Sequence, residues 1–223
     1  MPPPIRVELV PYSAAWPKGA QREIEQLTHA LGTVLSRVHH IGSTAIPGLA
    51  AKPIYDLMPV TADITFIDRV LPVFESLGYR SWGELGIAGR RYFTRDTETG
   101  TREAQLHCFQ VDSPHVERHL VFRDYLRSHP AIRSAYHHEK MRCASLHSND
   151  SHAYSDCKAD WIIRVEAEAL CWYRNSNAGI SGGVIEHSTN TAEQIAPEQP
   201  LPAAQLRSFS VSDLNLMIDA RPR

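Results

Sequence analysis

Apolar and polar residues alternate through much of the first half of the chain, which is the pattern of β-strands. Alternating runs at 5–10 and 34–38 predict two strands, and the apolar run at 54–60 predicts a third strand that is buried. Two further alternating runs, 91–95 and 105–111, flank turn-forming residues, so they predict a hairpin. We therefore expect the first half of the chain to form a sheet.

Apolar residues at helical spacing surround and follow these strands. Ser13 can cap a helix that Gly32 ends, and Asp63 can begin another that Gly78 ends. Toward the C-terminus the period stays helical and predicts three helices: Val116 to Leu126, Ile132 to Leu146 and Ala153 to Trp172. Beyond Arg174 the chain is rich in Asn, Ser, Gly, Pro and Gln, which predicts a disordered tail.

Composition and charge limit the kinds of protein to which this chain can belong. The chain has 223 residues, 43% of them hydrophobic, and a formal charge of −2, which argues against a large non-specific nucleic-acid surface. No apolar run approaches the ~20 residues of a membrane span, and the first residues lack the pattern of a signal peptide. The cysteines lack CxxC spacing and are predicted to be reduced thiols in a cytoplasmic protein: Cys108, Cys143, Cys157 and Cys171.

The candidate chemistry lies in the turn between the second and third predicted strands. Gly42 permits a sharp turn, and Ser43 or Thr44 can cap a short helix whose free N–H groups attract anions. Asp56 interrupts the apolar run that follows. A carboxylate in a buried strand costs several kcal/mol unless it is paired, hydrogen-bonded or bound to a metal. An anion-binding turn is thus predicted beside a strand acid.

The residues of this turn carry a family resemblance. The motif His40-x-Gly-Ser-Thr-x-x-Pro-Gly-Leu-Ala-Ala-Lys-Pro-Ile-x-Asp56 resembles the signature of the GrpB family, a branch of the nucleotidyltransferase superfamily. The resemblance continues at 83–93, 106–107 and 122–130, and covers roughly residues 5 to 173. It implies an α/β (α+β) fold with a nucleotidyltransferase-like mixed β-sheet core, flanking helices and a C-terminal helical lobe.

We divide the chain accordingly into three parts. Residues 1–112 are predicted to form the nucleotidyltransferase-like α/β core, and residues 113–174 a helical lobe packed on it, with the ligand between them. Residues 175–223 form the predicted tail. Within the core, the three glycines of 83–89 predict a mobile loop that closes over a ligand.

The resemblance also implies a chemistry. The superfamily transfers a nucleoside monophosphate from an NTP to an acceptor, with a Gly-Ser turn for the triphosphate and two acids at i and i+2 of a strand for divalent metal ions. Gly42, Ser43 and Asp56 match these roles. Met58 stands at the second acid position, and a thioether does not bind Mg²⁺. Whether the chain is an enzyme is therefore left open.

Two residues are candidates to replace the missing acid. Glu84 in the glycine-rich loop is a candidate catalytic residue with Asp56, and His107 is a candidate metal ligand with Asp56, in a site for Mg²⁺ or Mn²⁺. Each has a structural alternative: Asp56 can pair with an arginine, Glu84 can serve the loop, and His107 can be a hydrogen-bonded sheet histidine. The i, i+4 pair His115 and His119 is predicted to lie on a solvated helix face.

Basic residues near the turn complete the predicted nucleotide site. Its predicted members are Gly42, Ser43, Thr44, Lys52 and Arg91. Arg90 also carries a charge, but adjacent strand residues face opposite ways, so at most one of this arginine pair faces the cleft. Arg123, Asp124, Arg127 and Lys158 match family positions and are predicted to form either a wall of the site or ion pairs.

Two functions follow as hypotheses. The first is a nucleotide-binding protein that moves an NMP group to an unknown small-molecule acceptor. The alternative is a non-catalytic nucleotide-sensing or scaffolding module, in a CoA or adenine-nucleotide context that the family's fusions to dephospho-CoA kinase imply. In both, the partners are an NTP and a small molecule, with no membrane and no nucleic acid expected.

Overall fold

The computed structural model describes residues 1–178 and is built around a mixed β-sheet. Its five strands are β1 (Arg37–Ile41), β2 (Tyr55–Thr61), β3 (Arg80–Ser81), β4 (Arg91–Asp96) and β5 (Arg102–Gln110). They lie in the order β1-β2-β5-β4-β3. The β2–β5 pair is parallel and the other pairs are antiparallel. The predicted mixed sheet is confirmed, including the hairpin of β4 and β5.

Helices cover both faces of this sheet. They are α1 (Ala15–Leu31), α2 (Thr65–Arg69), α3 (Leu71–Ser76), α4 (Pro114–Ser128), α5 (Pro130–Leu146), α6 (Ser151–Cys157) and α7 (Ala159–Ala178). Short 3₁₀ turns occupy Gly32–Val34 and Ser43–Ala45. The predicted fold class, a mixed-sheet α/β protein with a helical C-terminal part, is confirmed.

Neighbouring side chains of β2 point to opposite faces of the sheet and pack into different hydrophobic cores. Leu57 packs with residues of α1, α2 and α3 on one face of the sheet. Met58 packs on the other face, in an apolar cluster with Phe109 of β5 and Leu120 of α4. Because residues i and i+2 of a strand share a face, Asp56 lies on the α4 side of the sheet as well.

The N-terminal segment differs from its prediction. The strand expected at 5–10 is wrong: among these residues only Val10 makes a β-bridge, to Ala51. Instead the backbone bonds to the helical part of the molecule, with the Val7 N–H donating to the Ser148 carbonyl at 2.7 Å. The next strand is shifted from 34–38 to Arg37–Ile41, because residues 32–34 form a 3₁₀ turn that begins at Gly32, whose φ is 51°.

Two predicted helices are broken. The segment expected from Asp63 to Gly78 forms α2 and α3, which Val70 separates. The helix expected from Ala153 to Trp172 is interrupted at Lys158, between α6 and α7. Helical spacing of apolar residues does not reveal such breaks, since the apolar stripe continues across them.

The cysteine prediction is wrong for one pair. Cys143 of α5 and Cys157 of α6 form a disulfide, with their Cα atoms 5.8 Å apart. Cys108 is a buried free thiol and Cys171 an exposed one. The tail predicted beyond Arg174 lies outside the described residues from 179 onward, and α7 runs as far as Ala178. None of the helices described over residues 1–178 is long and apolar enough to span a bilayer; a cytoplasmic location stays a prediction.

Candidate functional site

A cavity of about 310 Å³ lies between the α4-facing side of the sheet and the C-terminal helices. The turn after β1, the first residues of β2 and the middle of β5 form one wall, and side chains of α4 to α7 form the other. Its polar lining residues are Gly42, Ser43, Thr44, Lys52, Asp56, Gln105, His107, Arg118, His119, Arg123, Tyr136, Lys140, Tyr154, Ser155, Lys158 and Glu166. The lining thus contains five lysine and arginine side chains and only two carboxylates, those of Asp56 and Glu166.

The turn after β1 is fixed by hydrogen bonds of its own side chains. Thr44 Oγ1 lies 2.9 Å from His40 Nε2 and donates to the Ile54 carbonyl at 3.2 Å. Because Thr44 is buried and engaged on both sides, its hydroxyl serves the turn. Ser43 is only half-buried and lies at the cavity wall, where its side chain hydrogen-bonds Tyr136.

Gly42 is required by two independent features of this turn. Its φ of 68° and ψ of −169° lie in a region that residues with a side chain rarely adopt. A Cβ atom at this position would also lie 2.3 Å from Asp56 Oδ2. The pairing of Ile41 with Asp56 in the β1–β2 register is what brings the glycine against the carboxylate.

Two arginines of α4 hold the turn from the other side. Arg123 donates to the His40 carbonyl at 3.0 Å, and Arg127 donates to the Ala45 carbonyl at 2.9 Å. Both also pair with Asp124. Of the two predictions for these residues, ion pairing is therefore observed, and Arg123 in addition lines the cavity.

Three lysines converge on the cavity from different elements. Lys52 precedes β2, Lys140 lies on α5 and donates to the Ala50 carbonyl at 2.5 Å, and Lys158 lies at the break between α6 and α7. The ammonium groups of Lys52 and Lys158 both lie over the ring of Tyr154.

Burial disfavours the charged form of each of these lysines. It lowers the pKa of Lys140 to about 7, with the charge of Lys158 acting in the same direction. Burial also lowers the pKa of Lys158 to about 8, with Lys52 adding to the effect, and it lowers the pKa of Lys52. The carboxylate of Asp56 raises the pKa of all three lysines, but the effect of burial is larger and the pKa of each stays below its usual value. The nearby negative charge is therefore too small to balance the burial of the three ammonium groups. An anionic ligand would supply the missing charge.

Asp56 is less buried than the sequence predicts. Its side chain is 29% exposed, and its Oδ1 lies 3.9 Å from Nε2 of His107. The structure thus brings together two predicted metal ligands. On the far side of the ring, Arg90 Nη1 lies 3.4 Å from His107 Nδ1. A guanidinium only donates, so Nδ1 accepts and the ring proton is placed on Nε2.

This contact does not fit His107 as a metal ligand. A metal-bound histidine normally donates its second ring N–H to an acceptor, whereas here the second nitrogen faces a cation. Burial further lowers the pKa of His107, so the neutral ring is favoured. The neutral ring with its proton on Nε2 directs that proton at Asp56, which matches the structural alternative, a hydrogen-bonded sheet histidine.

The far end of the cavity holds a half-buried pair of opposite charge, Arg118 and Glu166. Arg118 donates to both carboxylate oxygens of Glu166, at 2.8 and 2.9 Å. Burial raises the pKa of Glu166, and Arg118 opposes the rise. His119 lines the cavity beside His107, so the solvated face predicted for His115 and His119 is wrong. Burial lowers the pKa of His119 well below its usual value.

Two predicted site residues lie away from the cavity. Arg91 forms a two-bond ion pair with Asp68, at 2.6 and 2.7 Å. Glu84 accepts the Gly89 N–H at 2.7 Å, and its side chain is 53% exposed. The neighbouring Arg90 donates to the carbonyls of Glu84 and Leu85, which holds the glycine-rich loop against β4. Closure of this loop over a ligand remains a prediction.

Several lining residues escaped the sequence analysis, although a signal was present. Tyr136, Lys140 and Cys143 of α5 recur at i, i+4 and i+7, so the lysine occupies a position of the buried stripe. A lysine at such a position is rarely buried without a function or a partner. The same spacing, Val116, Leu120 and Arg123, places on the buried stripe of α4 an arginine that the family positions had already identified.

Comparisons with known proteins agree with this fold. The family model described as GrpB protein matches residues 6–168. The UPF0157 protein YqkA of Bacillus subtilis is 35% identical over 191 residues, which are 86% of this chain and 55% of that protein. The crystal structure of the conserved protein GrpB from Enterococcus faecalis matches with 36% identity and a TM-score of 0.70, over 74% of this chain and 99% of the other.

More distant similarities extend to named enzymes. The dephospho-CoA kinase of Mycolicibacterium paratuberculosis is 27% identical over 189 residues, which are 74% of this chain and 46% of that enzyme. The structure of a cytoplasmic RNA terminal U-transferase matches with 14% identity and a TM-score of 0.44, over 61% of this chain and 43% of the other.

Proposed function

The chain belongs to the GrpB family, and from that premise we propose that its cavity binds a nucleotide, or a cofactor built on one, through the phosphate groups. The observation that carries the proposal is the convergence of Lys52, Lys140 and Lys158 on one cavity next to the Gly42–Thr44 turn. Phosphate oxygens accept charge-assisted hydrogen bonds from ammonium groups, and such bonds are about twice as strong as neutral ones.

The energetics of the free protein support an anionic ligand. Three desolvated lysines around one partly exposed carboxylate leave an excess of positive charge in a low-dielectric cavity. A polyphosphate supplies several negative charges at once and offers oxygens to each ammonium group. Aromatic rings of Tyr136 and Tyr154 in the same lining provide apolar surface for the rest of the ligand.

Asp56 is the residue that suits a divalent metal accompanying the phosphates. Mg²⁺ is usually held by one or two carboxylates together with phosphate oxygens and water. We propose that Asp56 supplies the protein's share of this coordination, since the Arg90 contact disfavours His107. Mn²⁺ is expected to substitute, because it accepts the same oxygen donors.

The position of Met58 favours binding without transfer over nucleotidyl transfer. Met58 is fully buried among Ile41, Val60 and Phe109, so the second acid position of the superfamily is part of the core. A carboxylate there would be buried in apolar surroundings at a cost of several kcal/mol. We therefore propose a nucleotide-sensing or scaffolding role rather than nucleotidyl transfer. The similarity to dephospho-CoA kinases supports CoA or adenine nucleotides as the ligand class.

Titration calorimetry with ATP, CoA and inorganic pyrophosphate, each with and without Mg²⁺, tests the proposal. We expect at least one of these to bind, and Lys158→Gln to weaken that binding by about tenfold or more, as the loss of one charge-assisted bond. The matched control is Lys18→Gln, since Lys18 lies exposed on α1. Asp56→Asn is expected to remove the effect of Mg²⁺ while binding of the phosphates persists.

Thermal denaturation of the same variants separates binding from folding. Lys158→Gln removes a partly desolvated charge and is expected to leave the free protein as stable as the parent or more so. A ligand at about 100 times its Kd should stabilise the parent by about 2.7 kcal/mol. If none of the phosphate compounds binds, or if Lys18→Gln weakens binding as much as Lys158→Gln, the cavity is not a phosphate site.

A further inference from the structure

We propose that Cys143 and Cys157 form a site of reversible thiol–disulfide exchange, on which a dithiol reductant acts, and that breaking their bond opens the cavity wall. The bond joins α5 to α6, and both helices contribute lining residues to the cavity. The inference concerns the cavity's wall and does not depend on which ligand the cavity binds.

The two sulfur atoms differ in accessibility. Cys143 is fully buried, whereas Cys157 is half-buried at the end of α6. An external thiolate must approach the sulfur along the S–S axis, so the more accessible Cys157 is the sulfur that it attacks. Cys143 is then the leaving group.

A cation is placed beside both sulfurs. Nη2 of Arg142 lies 3.5 Å from Cys143 Sγ and 3.3 Å from Cys157 Sγ. A neighbouring guanidinium stabilises a thiolate, and a more stable thiolate leaves faster in exchange. Glu139 pairs with this arginine at 2.7 Å, which keeps the guanidinium in place. Its Oε1 also lies 3.6 Å from Cys143 Sγ and offsets part of the stabilisation there, so Cys157 Sγ, at 3.3 Å, receives the larger share.

The same cation distinguishes an exchange site from a metal site. Glu139, Cys143 and Cys157 have ligand atoms within 4.8 Å of one another, a grouping that resembles a metal site. A metal ion there would lie next to the Arg142 guanidinium and would have to take Glu139 from it. Repulsion between the two cations disfavours this arrangement.

The exchange is a balanced two-electron reaction. A thiolate of the reductant attacks Cys157 Sγ, forms a mixed disulfide and releases Cys143 as a thiolate. The second thiolate of the reductant then attacks its own sulfur in the mixed disulfide and releases Cys157 as a thiolate. The reductant leaves as a disulfide, and the protein's cystine has become two cysteines.

The bond lies close to the cavity along both helices. Lys158 directly follows Cys157, and Tyr154 and Ser155 precede it on the seven-residue α6. On α5, Lys140 is three residues before Cys143. Without the covalent link, α6 is held by its cap at Asp150 and by the small cluster of Val7, Cys143 and Tyr154. We expect α6 to open locally more often once the link is broken.

The test compares the oxidised and the reduced full-length protein. Incubation with dithiothreitol, followed by alkylation and mass spectrometry, is expected to convert Cys143 and Cys157 together while the far-UV circular dichroism is unchanged. Lys158 is labelled with a dilute acylating reagent in separate, unalkylated samples of the oxidised, the reduced and the reoxidised protein. We expect its labelling rate to rise by about fivefold on reduction, because local opening exposes the amine, and to fall again on reoxidation. Lys18 on α1 is the internal control and should keep its rate.

Variants make the same comparison without a reductant. Cys157→Ser should label at Lys158 like the reduced parent, and Cys171→Ser, which removes the exposed free thiol of α7, should label like the oxidised parent. Should Cys157→Ser not fold, the reduction and reoxidation of the parent still decide the question. Equal labelling of Lys158 in both states, or unfolding of the whole chain on reduction, overturns the proposal and makes the disulfide a structural link.

Discussion

At the scale of single residues, the site depends on a close approach between Gly42 and Asp56. The strand register sets Ile41 opposite Asp56, so the first residue after β1 meets the carboxylate. Only a residue without Cβ fits there, because the nearest carboxylate atom lies 2.3 Å from the position that Cβ would take. The glycine of the turn therefore serves the position of the acid as well as the backbone conformation.

Gly42→Ala is expected to destabilise the protein and to weaken ligand binding, because Cβ displaces either the turn or Asp56. Gly48→Ala is the matched control. Gly48 also has a positive φ, of 79°, but an added Cβ would meet nothing within 4 Å. Gly48→Ala should lower the free energy of unfolding only through backbone strain, by about 1–2 kcal/mol. Chemical denaturation of both variants measures the difference, and equal losses would show that the contact with Asp56 is unimportant.

The buried lysines predict how binding depends on pH. The pKa of Lys140 is about 7 and that of Lys158 about 8, so both lose charge as the pH rises through these values. An anion favours the charged form, so affinity for ATP should be highest below the lower pKa and decline above the higher one. Binding near pH 8 should also take up protons, which calorimetry in buffers of different ionisation enthalpy detects.

Lys140→Arg provides the comparison for this prediction. Arginine keeps its charge throughout the range, so the part of the pH dependence due to this position should disappear. An affinity that rises with pH in the parent would contradict the assignment of the lysines as the anion-binding groups.

At the scale of elements, the short helix α6 and the residue after it contribute three residues to the cavity lining: Tyr154, Ser155 and Lys158. Helix α6 has seven residues and ends at Cys157, and Lys158 separates it from α7. The break turns Lys158 toward the cavity. An isolated helix of this length is not stable in water, so its caps and tertiary contacts must hold it.

Asp150→Ala is expected to destabilise the protein by about 1 kcal/mol, the usual value of an N-cap. The Asp150 side chain accepts from the N–H groups of His152 and Ala153, at 2.8 and 3.1 Å. Asp150→Asn is the matched control, since it keeps an accepting oxygen and should restore most of the loss. Urea denaturation measures both, and an equal loss in the two variants would point to the charge of Asp150 rather than to capping.

At the scale of the whole molecule, the N-terminal segment connects the loop between α5 and α6 to the residues before β2. The Ser151 N–H donates to the Ile5 carbonyl and the Val7 N–H donates to the Ser148 carbonyl, while Val10 bridges to Ala51 beside the turn. The segment thus spans from the helices that line the cavity to the residues that precede β2. Alternation alone predicted a strand there, but the partner of this segment is a loop between helices.

Val7→Ala should therefore lower the free energy of unfolding by about 2 kcal/mol, through a cavity among Cys143 and Tyr154. Val111→Ala is the control, because Val111 is 48% exposed and such surface changes stay within about 0.5 kcal/mol. Loss of stability in Val7→Ala no larger than in the control would mean that the segment is not anchored through this side chain.

The sequence by itself determined the sheet, the Gly42–Thr44 turn, the acid at Asp56 and the family, because each depends on neighbours a few residues apart. A continuous apolar run marks β2, period-two alternation marks the β4–β5 hairpin, and glycines that tolerate a positive φ mark the turns. The tertiary structure alone decided which charges share the cavity. Arg91 pairs with Asp68 and Glu84 with its own loop, whereas Lys140 of α5 and Lys158, between α6 and α7, meet beside Lys52. The disulfide of Cys143 and Cys157 belongs with these, since contacts between distant residues depend on how helices pack, and sequence periodicity does not record that.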